Sequence, residues 1–191
     1  MNNFWRWTLL AILFCQYAIP LFASDIRQKV ISSHDAILKT NKIDPDSHIY
    51  GIPFGTTEEK FIEKYGNPNG YIRFTGEETG MLYGKSHIFV FSEGKLSGVR
   101  ITHNIIDWQI SEKVLPNPIF DGIKWKLNNG IQENTNLKEV KQILGNELSQ
   151  YKYEKFYYTK KAKVTLNFSH RTDIGDLDEA YQVYGLLIEI K

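Results

Sequence analysis

One stretch of this chain occurs twice, and it constrains the fold more than any other feature. Gly51 to Asn67 aligns without a gap on Gly130 to Asn146. Gly51 matches Gly130, Ile52 matches Ile131, Thr56 matches Thr135, Phe61 matches Val140, Tyr65 matches Leu144, and Gly66-Asn67 matches Gly145-Asn146. Both copies spell a short helix with its start and stop. Thr56 or Thr57 can cap the first, and Thr135 or Asn136 the second, by accepting from free N–H groups of the first turn. Glu58 and Glu59 sit where the helix dipole favours negative charge. Phe61, Ile62 and Tyr65 recur at helical spacing, as do Leu137, Val140, Ile143 and Leu144. Gly66 and Gly145 end the runs, and Pro68 blocks continuation of the first. Helices of about three turns are too short to stand alone, so each apolar stripe must pack on something. A period this long is that of a domain, not of a solenoid repeat.

Strands are expected after each helix. Behind the first come Tyr71–Phe74, Met81–Tyr83, His87–Phe91 and Leu96–Thr102, the last two flanking a compact turn at Glu93-Gly94. Ile88 to Phe91 are apolar on both faces, which predicts cover on both sides. Pro116-Asn117-Pro118 breaks the chain near its middle. In the second half, Gly122–Leu127 alternates as a strand and leads to the second helix. Ser149–Tyr153 and Lys155–Thr159 form a tyrosine-rich hairpin. Val164, Leu166 and Phe168 alternate with Lys163, Thr165 and Asn167, as in a sheet with one wet face, and Tyr184–Ile190 closes the unit. The expected class is α+β: two tandem units, each a short helix packed on an antiparallel sheet, behind an N-terminal signal peptide. The divisions are 1–23 signal peptide, 24–47 leading helix or lead-in, 48–118 first unit and linker, and 119–191 second unit.

Met1 to Ala23 has the pattern of a secretory signal. Arg6 precedes a mostly apolar run from Thr8 to Phe22, and a small residue stands at the cleavage position. The run is short for a membrane span; an uncleaved anchor is the alternative. Cleavage would remove the chain's single cysteine, Cys15, and with it any disulfide, thiolate metal site or cysteine nucleophile. It would also remove one base and no acid from a chain with 23 basic and 22 acidic residues, leaving the two equal. A neutral chain lacks the electrostatic footprint of a nucleic-acid binder.

Catalytic signatures are sparse. None of the five histidines (His34, His48, His87, His103, His170) lies three or four residues from another, so no local zinc pair exists. With a two-residue turn at Glu93-Gly94, His87 is expected opposite Arg100, out of reach of His103. Asp173, Asp176, Asp178 and Glu179 cluster in the Ser169–Gln182 connection, but their spacing is not that of a calcium loop. No nucleophile elbow, phosphate loop or dinucleotide fingerprint occurs. No cofactor and no metal ligand is expected. Tyr151, Tyr153, Tyr157 and Tyr158, with Lys152, Lys155, Lys160 and Lys161 among them, form an aromatic patch suited to a protein partner. Packing in the core or at an edge is the competing reading, because tyrosine is also a good strand former.

The sequence Gly51-Ile52-Pro53-Phe54-Gly55-Thr56, continued by Phe61 and Tyr65-Gly66-Asn67-Pro68, resembles the start of the helix in the small outer-membrane-assembly lipoproteins of the SmpA/OmlA type. Used twice, it is similar to the tandem arrangement of the β-lactamase inhibitor proteins. The second copy has Asn134 for Gly55 and Glu147 for Pro68, and no inhibitory residue carries over. The resemblance implies a scaffold that works by protein contact in the envelope. The functional expectation is an exported, periplasmic or secreted, non-catalytic binding protein, in a narrower form inhibitor- or immunity-like. Its partner would be a protein of the cell envelope, with no nucleic acid and no membrane span after cleavage. The second reading is a periplasmic hydrolase using carboxylates such as Asp173 or Glu179 as acid and base. The third is a structural component of the envelope.

Overall fold

The structure is a computed structural model, and it describes residues 40–74, 76–102, 115–117, 120–145, 148–149, 154–171 and 177–191. The expected signal peptide, the leading segment before Thr40, Cys15, His34, His103, Tyr151, Tyr153, Asp173 and Asp176 lie outside these residues.

Both expected helices form, and they share their local geometry. Helix α1 spans Glu58–Tyr65 and α2 spans Leu137–Leu144, eight residues each and seventy-nine positions apart. Thr57 Oγ1 accepts from the Lys60 amide at 3.5 Å, and Asn136 Oδ1 from the Glu139 amide at 2.9 Å. The second cap is therefore the better made, and it is asparagine rather than threonine that supplies it. Three left-handed residues recur at the same offset: Gly51 and Gly130, Gly55 and Asn134, Gly66 and Gly145. Asn134, with φ +66°, thus takes the conformation of Gly55, and asparagine is the side chain that tolerates this most readily. Ahead of each helix the chain is tied to a later strand in the same way. The Gly55 amide donates to the Leu96 carbonyl and the Leu96 amide to Thr56; the Asn134 amide donates to Val183 and the Val183 amide to Thr135.

The strands form two sheets, and neither helix has a sheet to itself. A small sheet has the order β3-β2-β1-β8, from β1 (Lys42–Asp44), β2 (His48–Ile49), β3 (Ile52–Pro53) and β8 (Lys126–Leu127). Only two residues of the expected Gly122–Leu127 strand are extended into it. The large sheet has the order β4-β5-β6-β7-β11-β10-β9. Its members are β4 (Gly70–Arg73), β5 (Glu78–Tyr83), β6 (His87–Ser92), β7 (Lys95–Thr102), β9 (Glu154–Tyr158), β10 (Ala162–His170) and β11 (Tyr181–Ile190). The four strands after α1 and the three after α2 are each an antiparallel meander. Their last strands, β7 and β11, pair antiparallel at the centre, with Arg100 opposite Leu187. The second meander therefore extends the first edge to edge, instead of covering it face to face as the two-sided apolar pattern of β6 predicted.

Both central strands carry a bulge at the same place. Phe91 faces Leu96 but Val90 faces Gly98, so Ser97 is extra; Phe168 faces Val183 but Asn167 faces Gly185, so Tyr184 is extra. The first bulge moves His87 from Arg100 to Ile101, and it changes which residues of β7 reach the core. Leu96, Val99 and Ile101 point inward, whereas Arg100 points out.

The core lies between the helices and one face of the large sheet. From α1, Phe61 and Tyr65 are buried; the Phe61 ring lies 4.6 Å from Phe89 and 5.4 Å from Phe91. Leu137 and Val140 are the buried pair of α2, and Ile143, expected in its stripe, is 44% exposed. The small sheet supplies Ile43, Ile49 and Ile52 to the same core.

Candidate functional site

Two places in the fold gather chemistry. The first is a buried hydrogen-bonded chain at the end of the large sheet. Tyr50 sits in the two-residue turn between β2 and β3 with a left-handed φ of +52°, a conformation that the following Gly51 shares at +78°. Its hydroxyl lies 2.7 Å from His87 Nε2, His87 Nδ1 lies 2.8 Å from Ser86 Oγ, and Ser86 Oγ donates to Asp121 Oδ1 at 2.8 Å. The roles follow from the carboxylate end. Asp121 accepts only, so the single Ser86 proton points to it. Ser86 Oγ then accepts from His87 Nδ1–H, and Nε2 accepts from the Tyr50 hydroxyl. Asp121 also accepts from the Lys85 and Asn117 amides at 2.6 and 2.8 Å. Gly84 makes room for it, because a Cβ there would lie 2.5 Å from Oδ1.

These are the residue types of nucleophilic catalysis in an order that does not perform it. Serine stands between histidine and aspartate, so the imidazole does not face the hydroxyl as a base oriented by the acid. His87 is fully enclosed, and burial holds its pKa down at about 3. Burial likewise pushes the Tyr50 hydroxyl well above its ordinary value. The space beside Ser86 and His87 is about 10 Å³, too little for a substrate. The chain ties the β2–β3 turn, the β5–β6 turn and the segment around Asp121 together, and its chemistry is spent on that.

The second place is a groove of about 250 Å³ on the face of the large sheet away from the helices. Phe74, Val90, Ser97, Gly98 and Leu187 line it, and Arg100, Glu78 and Glu189 supply charge. It lies over the β7–β11 joint. Gly98 is required there, because any Cβ would run into the Ile188 carbonyl of β11. Arg100 is exposed, has Ile88 and Leu187 as its cross-strand neighbours, and its guanidinium has no hydrogen bond or ion pair among the described residues. Glu189 lies 3.6 Å from Lys163 Nζ on β10. This face is not uniformly wet: Leu82, Ile88 and Thr165 on it are at most 4% exposed, and the Thr165 hydroxyl has no partner among the described residues.

Of the four tyrosines expected at a partner surface, Tyr157 and Tyr158 are among the described residues, and these two do not share a face. Tyr157 and Tyr158 are consecutive on the edge strand β9 and point to opposite sides. Tyr157 is buried in the core, meets Asn129 Nδ2 at 3.3 Å, and has its pKa raised by burial to about 12. Tyr158 is 55% exposed, with Lys191 Nζ 4.5 Å from its ring centre. The described end of the acidic connection is anchored. Glu179 accepts from Lys138 at 2.8 Å and Asp178 from Lys141 at 2.6 Å, which pins the 3-10 turn Asp178–Ala180 to α2. The Lys138 hydrogen bond holds Glu179 below the usual carboxylate range, opposite to what a general acid needs. His87 is an interior residue, and His170 packs 4.8 Å from the Tyr181 ring. Among the described residues no group of three or more histidine, cysteine or acidic side chains could hold a metal.

Nothing in the sequence pointed to Asp121 or to the groove. Asp121 is one acid among many until Gly84 and the 84–86 turn are folded against it, and Arg100 reads as an ordinary strand residue until the bulge turns it outward.

No known protein family matches the chain, and no curated protein matches it. Among solved structures it is similar to an extracellular protein containing an SCP domain from Bacillus anthracis, at 11% identity and a TM-score of 0.44, over 71% of this chain and 43% of that one. It is also similar to a cysteine-rich secretory protein from Staphylococcus aureus, at 9% identity and a TM-score of 0.39, over 72% of this chain and 44% of that one. The chain spans less than half the length of each. Among the described residues no helix is long and apolar enough to cross a membrane.

Proposed function

We propose that this chain is an exported, non-catalytic binding protein of the bacterial envelope, assembled from two tandem helix-plus-meander units, that holds a protein partner against the outer face of its large sheet. An inhibitor- or immunity-type relationship to that partner is the narrower form of the same reading. Export rests on the pattern of residues 1–23. Duplication is supported by the equal helices, the three left-handed residues at one offset and the bulges at Ser97 and Tyr184. The observation that carries the function is the groove at the joint, which offers Phe74, Val90 and Leu187 beside an unengaged guanidinium. Tyr158 lies on the same face, in the cross-strand row that runs from Glu189 through Lys163, and extends the footprint to the sheet edge.

The hydrolase reading finds no support in the groove. Glu78 and Glu189 stand three strands apart, about 14 Å across the sheet before their offset along it. Paired carboxylates of glycoside chemistry work at roughly 5–9.5 Å.

The test is retention of an envelope component by immobilised protein. One saturable partner should bind the wild type and the Ser86→Ala variant and be lost with Val90→Arg, which fills the groove. Turnover of a glycan or peptide by purified protein, abolished by Ser86→Ala or Glu78→Gln, would replace binding with catalysis.

A further inference from the structure

Resting on that reading of the groove, we infer that its ligand is the free carboxyl terminus of an extended peptide, with the terminal carboxylate on Arg100 and an apolar last side chain against Val90 and Leu187. Arg100 carries five N–H donors in a planar fork that matches a carboxylate bidentately. Nothing among the described residues engages that fork. The cross-strand neighbours of Arg100 are aliphatic, Ile88 on one side and Leu187 on the other, so neither competes for the fork.

The other charges of the groove select among anions. Glu189 is matched by Lys163, but Glu78 at the far end has no partner among the described residues. Arg100 and Glu78 are two strands and about four residues apart, roughly 16 Å at the backbone. The groove therefore has a basic end and an acidic end. A phosphate or other compact anion can meet Arg100 but spans too little of the groove to reach the acidic end as well. A peptide end carries one negative charge, followed by amide groups that Ser92 and Ser97 can meet, and a basic residue further back can approach Glu78. Size points the same way. About 250 Å³ is below the roughly 300–1,000 Å³ of ordinary small-molecule pockets, and suits a chain end better than a bulky ligand.

The probe is the dye-labelled tripeptide Lys-Ala-Leu, made as the free acid and as the C-terminal amide, with binding followed by fluorescence anisotropy. The free acid should bind at least about tenfold more tightly than the amide. Arg100→Gln should remove that ratio, and Arg100→Lys should keep only part of it, since a point charge lacks the fork. Equal binding of acid and amide would overturn the carboxylate assignment and leave the groove as the partner site. Binding of neither peptide, with partner retention still lost in Val90→Arg, would overturn the assignment alone. Binding of neither, with retention unaffected by Val90→Arg, would remove the groove reading as well.

Discussion

Replacing Asp121 by alanine should be among the most damaging polar substitutions in this protein. The carboxylate accepts from two backbone amides, Lys85 and Asn117, and from the Ser86 hydroxyl, at 2.6–2.8 Å. Hydrogen bonds to a charged acceptor contribute about 1.5–3 kcal/mol each. Ser86 has a fallback in the Phe120 carbonyl at 3.3 Å, and Asp121 is only partly buried, so water can reach the vacated amides. Counting the two amides at the low end gives about 3 kcal/mol. In urea, with a slope of about 2 kcal/mol/M for a domain of this size, the midpoint should fall by about 1.5 M. Asp121→Asn should cost about 2 kcal/mol, because one of its donors must face an amide that is also a donor. Gly84 supplies a control. Gly84→Ala forces a methyl group 2.5 Å from Oδ1 at a φ of +67°. In an Asp121→Ala background only the left-handed penalty of about 1–2 kcal/mol should remain, so the two substitutions should be strongly non-additive. An Asp121→Ala midpoint within about 0.3 M of wild type, or strict additivity with Gly84→Ala, would refute this account of the site.

His87 makes stability depend on pH. Its folded pKa is about 3, against about 6.5 when unfolded, so between those values the unfolded chain binds the extra proton. The contribution is complete above pH 6.5 and is lost as pH falls towards 3, at up to about 1.4 kcal/mol per unit; His87→Leu should flatten denaturation midpoints over that window. Asn136→Ala should destabilise by about 1 kcal/mol and Thr57→Ala by less, given their cap distances of 2.9 and 3.5 Å, as thermal melts of the two variants would show. Asn134→Gly should be neutral or slightly stabilising and Asn134→Ala should cost about 1 kcal/mol by chemical denaturation, because φ is +66° there.

Local features were legible in the sequence. Caps, glycine stops and the turn at Glu93-Gly94 are decided within a few residues, and the structure has them where they were expected. Long-range features were not. The apolar run of β6 says that the strand is covered, but not that the two meanders meet strand to strand. A bulge costs one residue and leaves no mark in composition, yet Ser97 alone moves His87 from Arg100 to Ile101. Which face each tyrosine takes was not legible either: neighbours on a strand, such as Tyr157 and Tyr158, point to opposite faces. Asp178 and Glu179 read as a free acidic loop because their lysines, Lys141 and Lys138, lie on a helix thirty-seven and forty-one positions earlier.

The seam between β7 and β11 also favours an order of assembly. Arg100 and Leu187 are eighty-seven positions apart, whereas every other neighbouring pair in the large sheet joins strands consecutive in the chain. Each meander can zip from its own turns, but closing the seam requires a much longer loop to be restrained before any contact rewards it. The groove is made of that seam, so it comes into existence only at the final closure, and a chain stalled before that step carries two half-sheets with bare central edges where the ligand site should be.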